Sequence, residues 1–366
     1  MARLIAVVNA GSATLKLALF EARDGDVRER SNQKYEWGSH EEMPDAIERA
    51  LAGIEEKPQV IGHRLVHGGP RYTAPVRIDA EVEDALEELV ALAPLHNGPA
   101  VTAIRAARRR FPETPSVAVF DTAFHARRPP ESMHYALPAG WDDRYGFRRY
   151  GFHGIAHASL ARGYAQAAGI GMDEVNAVTL QLGAGCSACA VRNGHSIETS
   201  MGYTPLEGLV MATRSGDIDP AIVLALLRDG LGVDEIDTVL NRRSGLLGVA
   251  GTGDMRKVLA DDARGDKAAR LALRLFIYRI VMTVGAYLTV LDGEGAVVFG
   301  GGIGENAPEI RAGVAQGLKA WNVALDPGRN LANRPGRISK DGSRPVYVCE
   351  TREEPIIARE VLDCAL

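Results

Sequence analysis

The sequence predicts an α/β protein made of two duplicated halves, on three observations. The first is a pair of apolar runs, Leu4–Val8 and Leu15–Phe20, joined by the polar turn Asn9-Ala10-Gly11-Ser12-Ala13-Thr14. Two short strands around a Gly/Ser turn read as a β-hairpin. The second is an echo half a chain later. Val175–Leu182 and Cys186–Val191 flank Gly183-Ala184-Gly185, and the closing turn Arg192-Asn193-Gly194 repeats Arg23-Asp24-Gly25. The third is a glycine loop, G-G-G-I-G-E-N from Gly300 to Asn306, set between an apolar strand and a helical stretch. Glycine lets backbone approach a ligand closely, and backbone N–H groups with hydroxyls and one lysine suffice to hold phosphate. Taken alone, the first hairpin reads as ordinary, with Lys16 reaching to water. Three such loops together predict a nucleotide cleft faced by both halves.

Bulk composition excludes several classes. A chain of 366 residues fits two domains. Its 46% apolar and 24% charged residues are ordinary for a globular protein. A net charge of −5 gives no basis for binding nucleic acid or an acidic membrane. The run Arg108-Arg109-Arg110 reads as the cationic end of a helix. The N-terminus enters a strand directly, which predicts no cleaved leader. The most apolar stretch, Leu271–Leu291, contains Arg274 and Arg279 and reads as a buried helix rather than a membrane span. Four cysteines are too few for a disulfide scaffold. Cys186 and Cys189, three apart on a strand, would point to opposite faces and read as packing residues, which fits a cytoplasmic protein.

In chain order, Glu21–Lys57 reads as polar and irregular, with a helix over Glu41–Gly53. Val60–Gly69 is a strand carrying His63, Arg64 and His67 into paired glycines. A cation at that point is either an edge-strand Arg in water or one held rigidly for an anion, whose geometry its planar fork matches. Ala80–Ala93 is an acidic helix, Pro94-Leu95-His96-Asn97 a break and Gly98–Arg110 the next helix. Val117–Phe120 is a strand that ends at Asp121, the place where α/β proteins put catalytic or metal-binding carboxylates. A polar loop, Thr122–His125, follows. Gly146–His157 holds His153 among Arg, aromatic and Gly residues, and Ile155–Ala168 is helical. Thr199–Pro220 is loop-like, with Arg214, Asp217 and Asp219. Two short helices, a glycine loop ending in Asp254-Met255-Arg256, a long helix over Asp266–Leu291, and helices over Glu305–Ala320 and Glu353–Leu362 complete the chain.

This set has no good covalent nucleophile, since no Ser lies in a G-x-S-x-G turn and no Cys has an obvious His partner. It suits phosphoryl transfer, where catalysis is positioning and charge neutralisation. Neither the P-loop pattern nor the protein-kinase motif set is present.

The strings V-N-A-G-S-A-T-L-K, G-H-R-L-V-H-G-G, P-L-H-N, F-D-T-A-F-H, R-R-Y-G-F-H-G, M-A-T-R-S-G-D-I-D-P, G-I-G-E-N and T-R-E-E-P-I-I-A-R-E run nearly end to end. In this order they resemble the acetate kinase family, within the sugar kinase, actin and heat-shock ATPase superfamily. The resemblance implies two ribonuclease H-like domains with an active cleft between them. Residues 1–121 with 354–366 would form the N-terminal domain, and 122–353 the nucleotide-binding and dimerising C-terminal domain. It implies Mg2+-dependent (or Mn2+-dependent) direct in-line transfer, ATP + acetate ⇌ acetyl phosphate + ADP, by a cytoplasmic homodimer.

By motif, Arg64 and Arg214 would hold acetate and the moving phosphoryl group. His153 would donate to that group, and Asp121 would be the essential carboxylate near the metal. Asn9 and Glu353 would position Mg2+ through water. Ser12, Thr14 and Lys16 would line the phosphate end. Gln181, Leu182, Gly183, Ala184 and Gly185, with Asp254, Met255, Arg256 and Gly302, Ile303, Gly304, Glu305 and Asn306, would bind nucleotide. Val66, Leu95, Phe152 and Pro205 match a small apolar acyl pocket, with His96 beside Leu95. The family usually carries H-L-G-N-G at the second loop, where this chain has Gln181-Leu182-Gly183-Ala184-Gly185. Ala184 offers no side-chain donor there. This departure leaves pyrophosphate as an alternative donor and a non-catalytic nucleotide sensor as the alternative from another class; separately, a kinase of propionate or another short acyl acid is the second enzyme reading.

Overall fold

The computed structural model describes residues 3–11, 13–23, 25–39, 41–92 and 94–365. The chain forms two compact units. Unit 1 comprises Met1–Ala126, His153–Ala158 and Arg352–Leu366, and unit 2 comprises Arg127–Phe152 and Ser159–Thr351. Thr122–Ala126, His153–Ala158, Arg352 and Glu353 thus group with unit 1, beyond the boundaries expected from the sequence.

Unit 1 is built on β1 (Arg3–Ala10), β2 (Thr14–Arg23), β3 (Asp26–Glu36), β4 (Val60–Leu65), β5 (Val76–Arg77) and β6 (Ser116–Phe120), in the order β3-β2-β1-β4-β6-β5. The first three strands form an antiparallel meander, and β1, β4 and β6 run parallel. Strand alternation fixes the two faces. Ile5, Val7, Val60, Val117 and Val119 pack on Ile356, Ile357 and Val361 of the C-terminal helix, Glu353–Ala365. Ala6, Val8 and Ile61 face the other way, onto the helices Met43–Ala52 and Pro94–Arg110. Continuing this alternation along each strand puts Asn9, Arg64 and Asp121 on the face of the C-terminal helix, at the carboxyl ends of three adjacent parallel strands.

Unit 2 repeats the plan. Its strands are β7 (Ala177–Leu182), β8 (Cys186–Arg192), β9 (His195–Thr199), β10 (Ala296–Gly300), β11 (Gly336–Arg337) and β12 (Val346–Val348), in the order β11-β12-β10-β7-β8-β9. Again a meander leads, two parallel strands follow, and a short antiparallel strand closes the edge. The duplication expected from two hairpins therefore extends to all twelve strands.

Five expectations are corrected. Glu21–Lys57 is not irregular: it completes β2 and supplies β3, an edge strand whose charged, alternating residues are those that keep an exposed edge soluble. Pro94–Asn97 does not break a helix but begins Pro94–Arg110, since a first-turn proline lacks only an N–H that would be unbonded anyway. Asp121–His125 is a 3-10 turn rather than a loop, and part of the expected glycine loop is the short helix Gly245–Ala250. The long helix, Lys267–Val290, is buried on one stripe only, through Ala272, Phe276, Ile280 and Val284. Its Leu271, Leu275, Tyr278 and Met282 are exposed. It is long and apolar enough to cross a membrane, but that inward stripe is already used in the core of unit 2.

Candidate active site

In unit 1 the strand ends gather a network of charge. Arg64 leaves β4, an internal strand, so its cation is not at an edge. Its Nε donates to Asp121 Oδ1 at 3.2 Å and its Nη2 to Asp121 Oδ2 at 2.7 Å, a bidentate pair. Its Nη1 donates to Asn9 Oδ1 at 3.2 Å and lies 3.2 Å from Glu353 Oε2. The Asn9 amide in turn donates to Glu353 Oε2 and Glu354 Oε1, both at 2.9 Å. Lys16, the cross-strand neighbour of Asn9, lies 3.2 Å from Glu354 Oε1.

Burial works against the Arg64 charge, but Asp121 and Glu353 overcome it and raise its pKa. Burial likewise raises Glu353, with Arg64 opposing. For Glu354, burial is outweighed by Lys16 and by the Asn9 hydrogen bond, so its pKa falls. Three carboxylates face two cations, and one Nη2 N–H of Arg64 remains uncommitted among the described residues.

His153 sits half-buried at φ 57°, in the left-handed region. The next residue is Gly154, where a Cβ would fall 1.9 Å from the Asp121 carbonyl oxygen. The glycine therefore lets the His153 turn close onto the Asp121 backbone. His125 and His157 pack ring to ring nearby at 5.8 Å. Asn97 braces the end of β4, its Oδ1 accepting from Val66 N and His67 N at 3.2 Å each. Val66 is buried. Thr14 opens β2, and its carbonyl accepts from Gly11 N at 2.7 Å. Ser12 lies outside the described residues, as do the side chains of Leu95 and His96.

Unit 2 carries the glycine loops. Gly183 and Ala184 share a cavity of about 460 Å³ with Gly253, Asp254, Met255, Arg256, Gly302, Ile303 and Asn306. The other predicted loop residues are placed differently. Leu182 points into the core, and Gln181 Oε1 accepts from Thr351 Oγ1 at 2.9 Å. Glu305 turns its Oε1 to Gly301 N and Thr351 N, both at 3.0 Å, and Gly304 is buried, so neither lines the cavity. Gly301 has φ 74°, and a Cβ there would meet the Leu182 carbonyl at 2.5 Å, so the loop closes only with glycine. Arg256 clasps Asp254 at 2.7 Å, and this hydrogen bond lowers the Asp254 pKa.

Arg214 belongs to the same unit. Its Nη1 donates to the Pro205 carbonyl at 2.9 Å, and no carboxylate pairs with it among the described residues. Burial without such a partner lowers its pKa. Its segment is tied to the second loop, Ala212 N donating to Ala184 O at 3.0 Å. Pro205 is half-buried, and Phe152, also in unit 2, is buried.

The sequence reading missed Glu354, which stands beside Glu353 in T-R-E-E-P, and Asn97, which stands in P-L-H-N. Both lay inside quoted motifs. What hid them is that a supporting role appears only with its hydrogen bonds.

Residues 27–359 match the model of the acetokinase family. An acetate kinase from Leifsonia xyli subsp. xyli is 44% identical over 98% of both chains. Among solved structures, an acetate kinase from Porphyromonas gingivalis is 32% identical at a TM-score of 0.87, covering 100% of both chains. A propionate kinase from Francisella tularensis subsp. tularensis SCHU S4 is 36% identical at a TM-score of 0.88, covering 99% of this chain and 100% of that one.

Proposed function

The chain belongs to the acetate kinase family of phosphotransferases, and we propose that it moves the terminal phosphoryl group of ATP to acetate, reversibly and in line, giving acetyl phosphate and ADP. The observation that carries this is the Arg64 guanidinium, locked by Asp121 and Asn9 with one N–H left over. Acetate is ionised at pH 7, so its attack needs no general base. The obstacle is the approach of two anions. Arg64 grips the carboxylate, Asp121 keeps that guanidinium in register, and Arg214 and His153 donate to the phosphoryl oxygens as charge shifts between them.

Val66, Leu95 and His96, with Phe152 and Pro205, are assigned to the acyl group. Bulk at Val66 favours acetate over propionate, although one methylene is worth only about 1–3 kcal/mol. Ser12, Thr14 and Lys16 are assigned to the phosphate end, and the cavity of unit 2 to the nucleotide.

The donor set fits a water-clad Mg2+ or Mn2+. Among the described residues no three His, Cys, Asp or Glu side chains gather to ligate a metal directly. The one excess carboxylate, with Glu353 only 14% exposed and its pKa raised, would gain from a cation held by Asn9 and Glu353 through water. When bound, the ion neutralises phosphate charge.

The exposed stripe Leu271, Leu275, Tyr278 and Met282 supports a homodimer through unit 2, and four free thiols support a cytoplasmic setting. Light scattering checks the first: Tyr278→Glu with Met282→Glu yields monomers.

The primary test is hydroxylamine trapping of acyl phosphate with acetate or propionate, Mg2+, and ATP or pyrophosphate. Product with ATP and acetate supports the reading. Product with pyrophosphate alone replaces the donor, faster reaction with propionate replaces the acceptor, and nucleotide binding without product leaves the sensor.

A further inference from the structure

Arg311 is fully buried, yet no carboxylate pairs with it among the described residues. A buried guanidinium is expensive unless its hydrogen bonds are met, and here all five N–H groups are used. Nη1 donates to the carbonyls of Gly304 at 2.8 Å and Glu305 at 2.9 Å. Nε and Nη2 donate to Asn330 Oδ1 and O at 2.8 Å each, and Nη2 also to Asn333 Oδ1 at 2.8 Å.

Asn330 locks the knot further by donating to the Pro308 carbonyl at 3.0 Å. Asn333 holds φ 53°, so its backbone too is committed to this arrangement. A methionine or leucine would fill the space without the desolvation cost. What a rigid fork adds is position: it fixes two carbonyls of the segment Gly301–Asn306 against residues 330–333.

We infer that Arg311 is a positioning residue for nucleotide binding, holding the third glycine loop from behind. Its neighbours on the other side of that loop, Gly302, Ile303 and Asn306, line the cavity of unit 2 together with Gly183 and Ala184. Glu305 secures the same loop through Gly301 N and Thr351 N, and Thr351 carries the tie to Gln181 in the second loop. Arg311 touches no ligand itself. It sets the spacing of two loops that must act together. The inference rests on reading that cavity as the nucleotide site.

The test uses the full-length enzyme and ADP binding by calorimetry, alongside KM values and circular dichroism. Arg311→Ala raises the ADP Kd about tenfold or more, leaves the KM for acetate within about twofold, and keeps its fold. Added methylguanidinium restores part of the lost ADP affinity, which a general packing defect would not allow. Arg311→Lys, lacking the planar fork, recovers less than half of the loss. A folded Arg311→Ala with unchanged ADP affinity, or with both substrates weakened alike, overturns the inference.

Should Arg311→Ala not fold, Asn333→Ala removes one bond of the five and raises the ADP Kd about threefold; an unchanged Kd there overturns it too. The control is Gly302→Trp, at a position where an added Cβ meets nothing within 4 Å, so the bulk starts out from the loop toward the cavity that Gly302 lines. If that variant binds ADP normally, the cavity reading itself fails. If it loses ADP while Arg311→Ala does not, the cavity stands and the role of Arg311 falls.

Discussion

The two six-stranded sheets share one plan and differ in what stands at their strand ends. Aligning Gly11 with Gly183 sets Asn9 against Gln181, and the sheet registers then set Arg64 against Gly300 and His63 against Phe299. In unit 1 these positions and their neighbours bear Asn9, Lys16, Arg64, Asp121, Glu353 and Glu354. In unit 2 they bear Gln181, Gly183, Ala184, Gly300 and Thr351. One backbone frame has been filled with charge and its duplicate emptied to expose loops and a cavity. The two arginines repeat the contrast. Arg64 is clamped by carboxylates, whereas Arg214 has a single carbonyl partner among the described residues.

This contrast is sharpest in what each arginine does for the fold. Arg64→Ala should lower turnover by roughly 10²–10³, the size seen when one preorganised donor is lost. It should also strip Asp121, only 1% exposed, of its bidentate partner, at a cost of about 3–5 kcal/mol. Arg214→Ala should lower turnover comparably but lose one carbonyl hydrogen bond, about 0.5–1.5 kcal/mol. Initial rates paired with denaturant titrations separate the two. Equal stability losses would mean that the charged network of unit 1 is not what distinguishes the halves.

A smaller effect follows from His63. It lies on the face of β4 opposite Arg64, 1% exposed, and neither ring nitrogen has a hydrogen-bond partner among the described residues. Burial pushes its pKa down to about 3. The unfolded chain takes up a proton near pH 6.5 that the folded chain refuses. Stability is therefore whole above about pH 6.5 and is lost as pH falls toward 3, by at most about 1.4 kcal/mol per pH unit. His63→Phe copies the residue of unit 2 into unit 1. It should flatten the decline in stability between pH 6.5 and 4.5, and a decline as steep as in the parent would assign it to other groups.

Much of this architecture could be read from the sequence because glycine turns and apolar runs are local signals. The paired hairpins, Arg64 inside a strand and Asp121 at a strand end were each visible in a few consecutive residues. The edge strand β3 was not, because its charged residues carry the sheet's requirement for a protected edge and look like a loop when read alone. The inward stripe of Lys267–Val290 was legible as apolar, but the exposed stripe beside it was not, since composition does not say which faces are covered. Arg311 was invisible for a related reason. Its partners, Gly304, Glu305, Asn330 and Asn333, are ordinary residues, brought together only by the packing of the Pro308–Gly317 helix. Glycines that permit a turn advertise it in sequence, whereas the side chain that fixes the turn does not.

The comparison is sharpened last at Ala184, the exposed residue of the second loop. The matching position in the first loop is Ser12, a donor, and the family usually carries Asn where Ala184 stands. Ala184→Asn adds side-chain donors at the rim of the cavity without entering the core. One net hydrogen bond to a nucleotide phosphate is worth about 0.5–1.5 kcal/mol, so the KM for ATP should fall by a factor of roughly 2–10, while the KM for acetate stays put. If the ATP KM does not move, the second loop binds through its backbone alone, and the empty half of the molecule works by shape rather than by side-chain chemistry. If it falls, unit 2 has given up affinity that a single side chain can return.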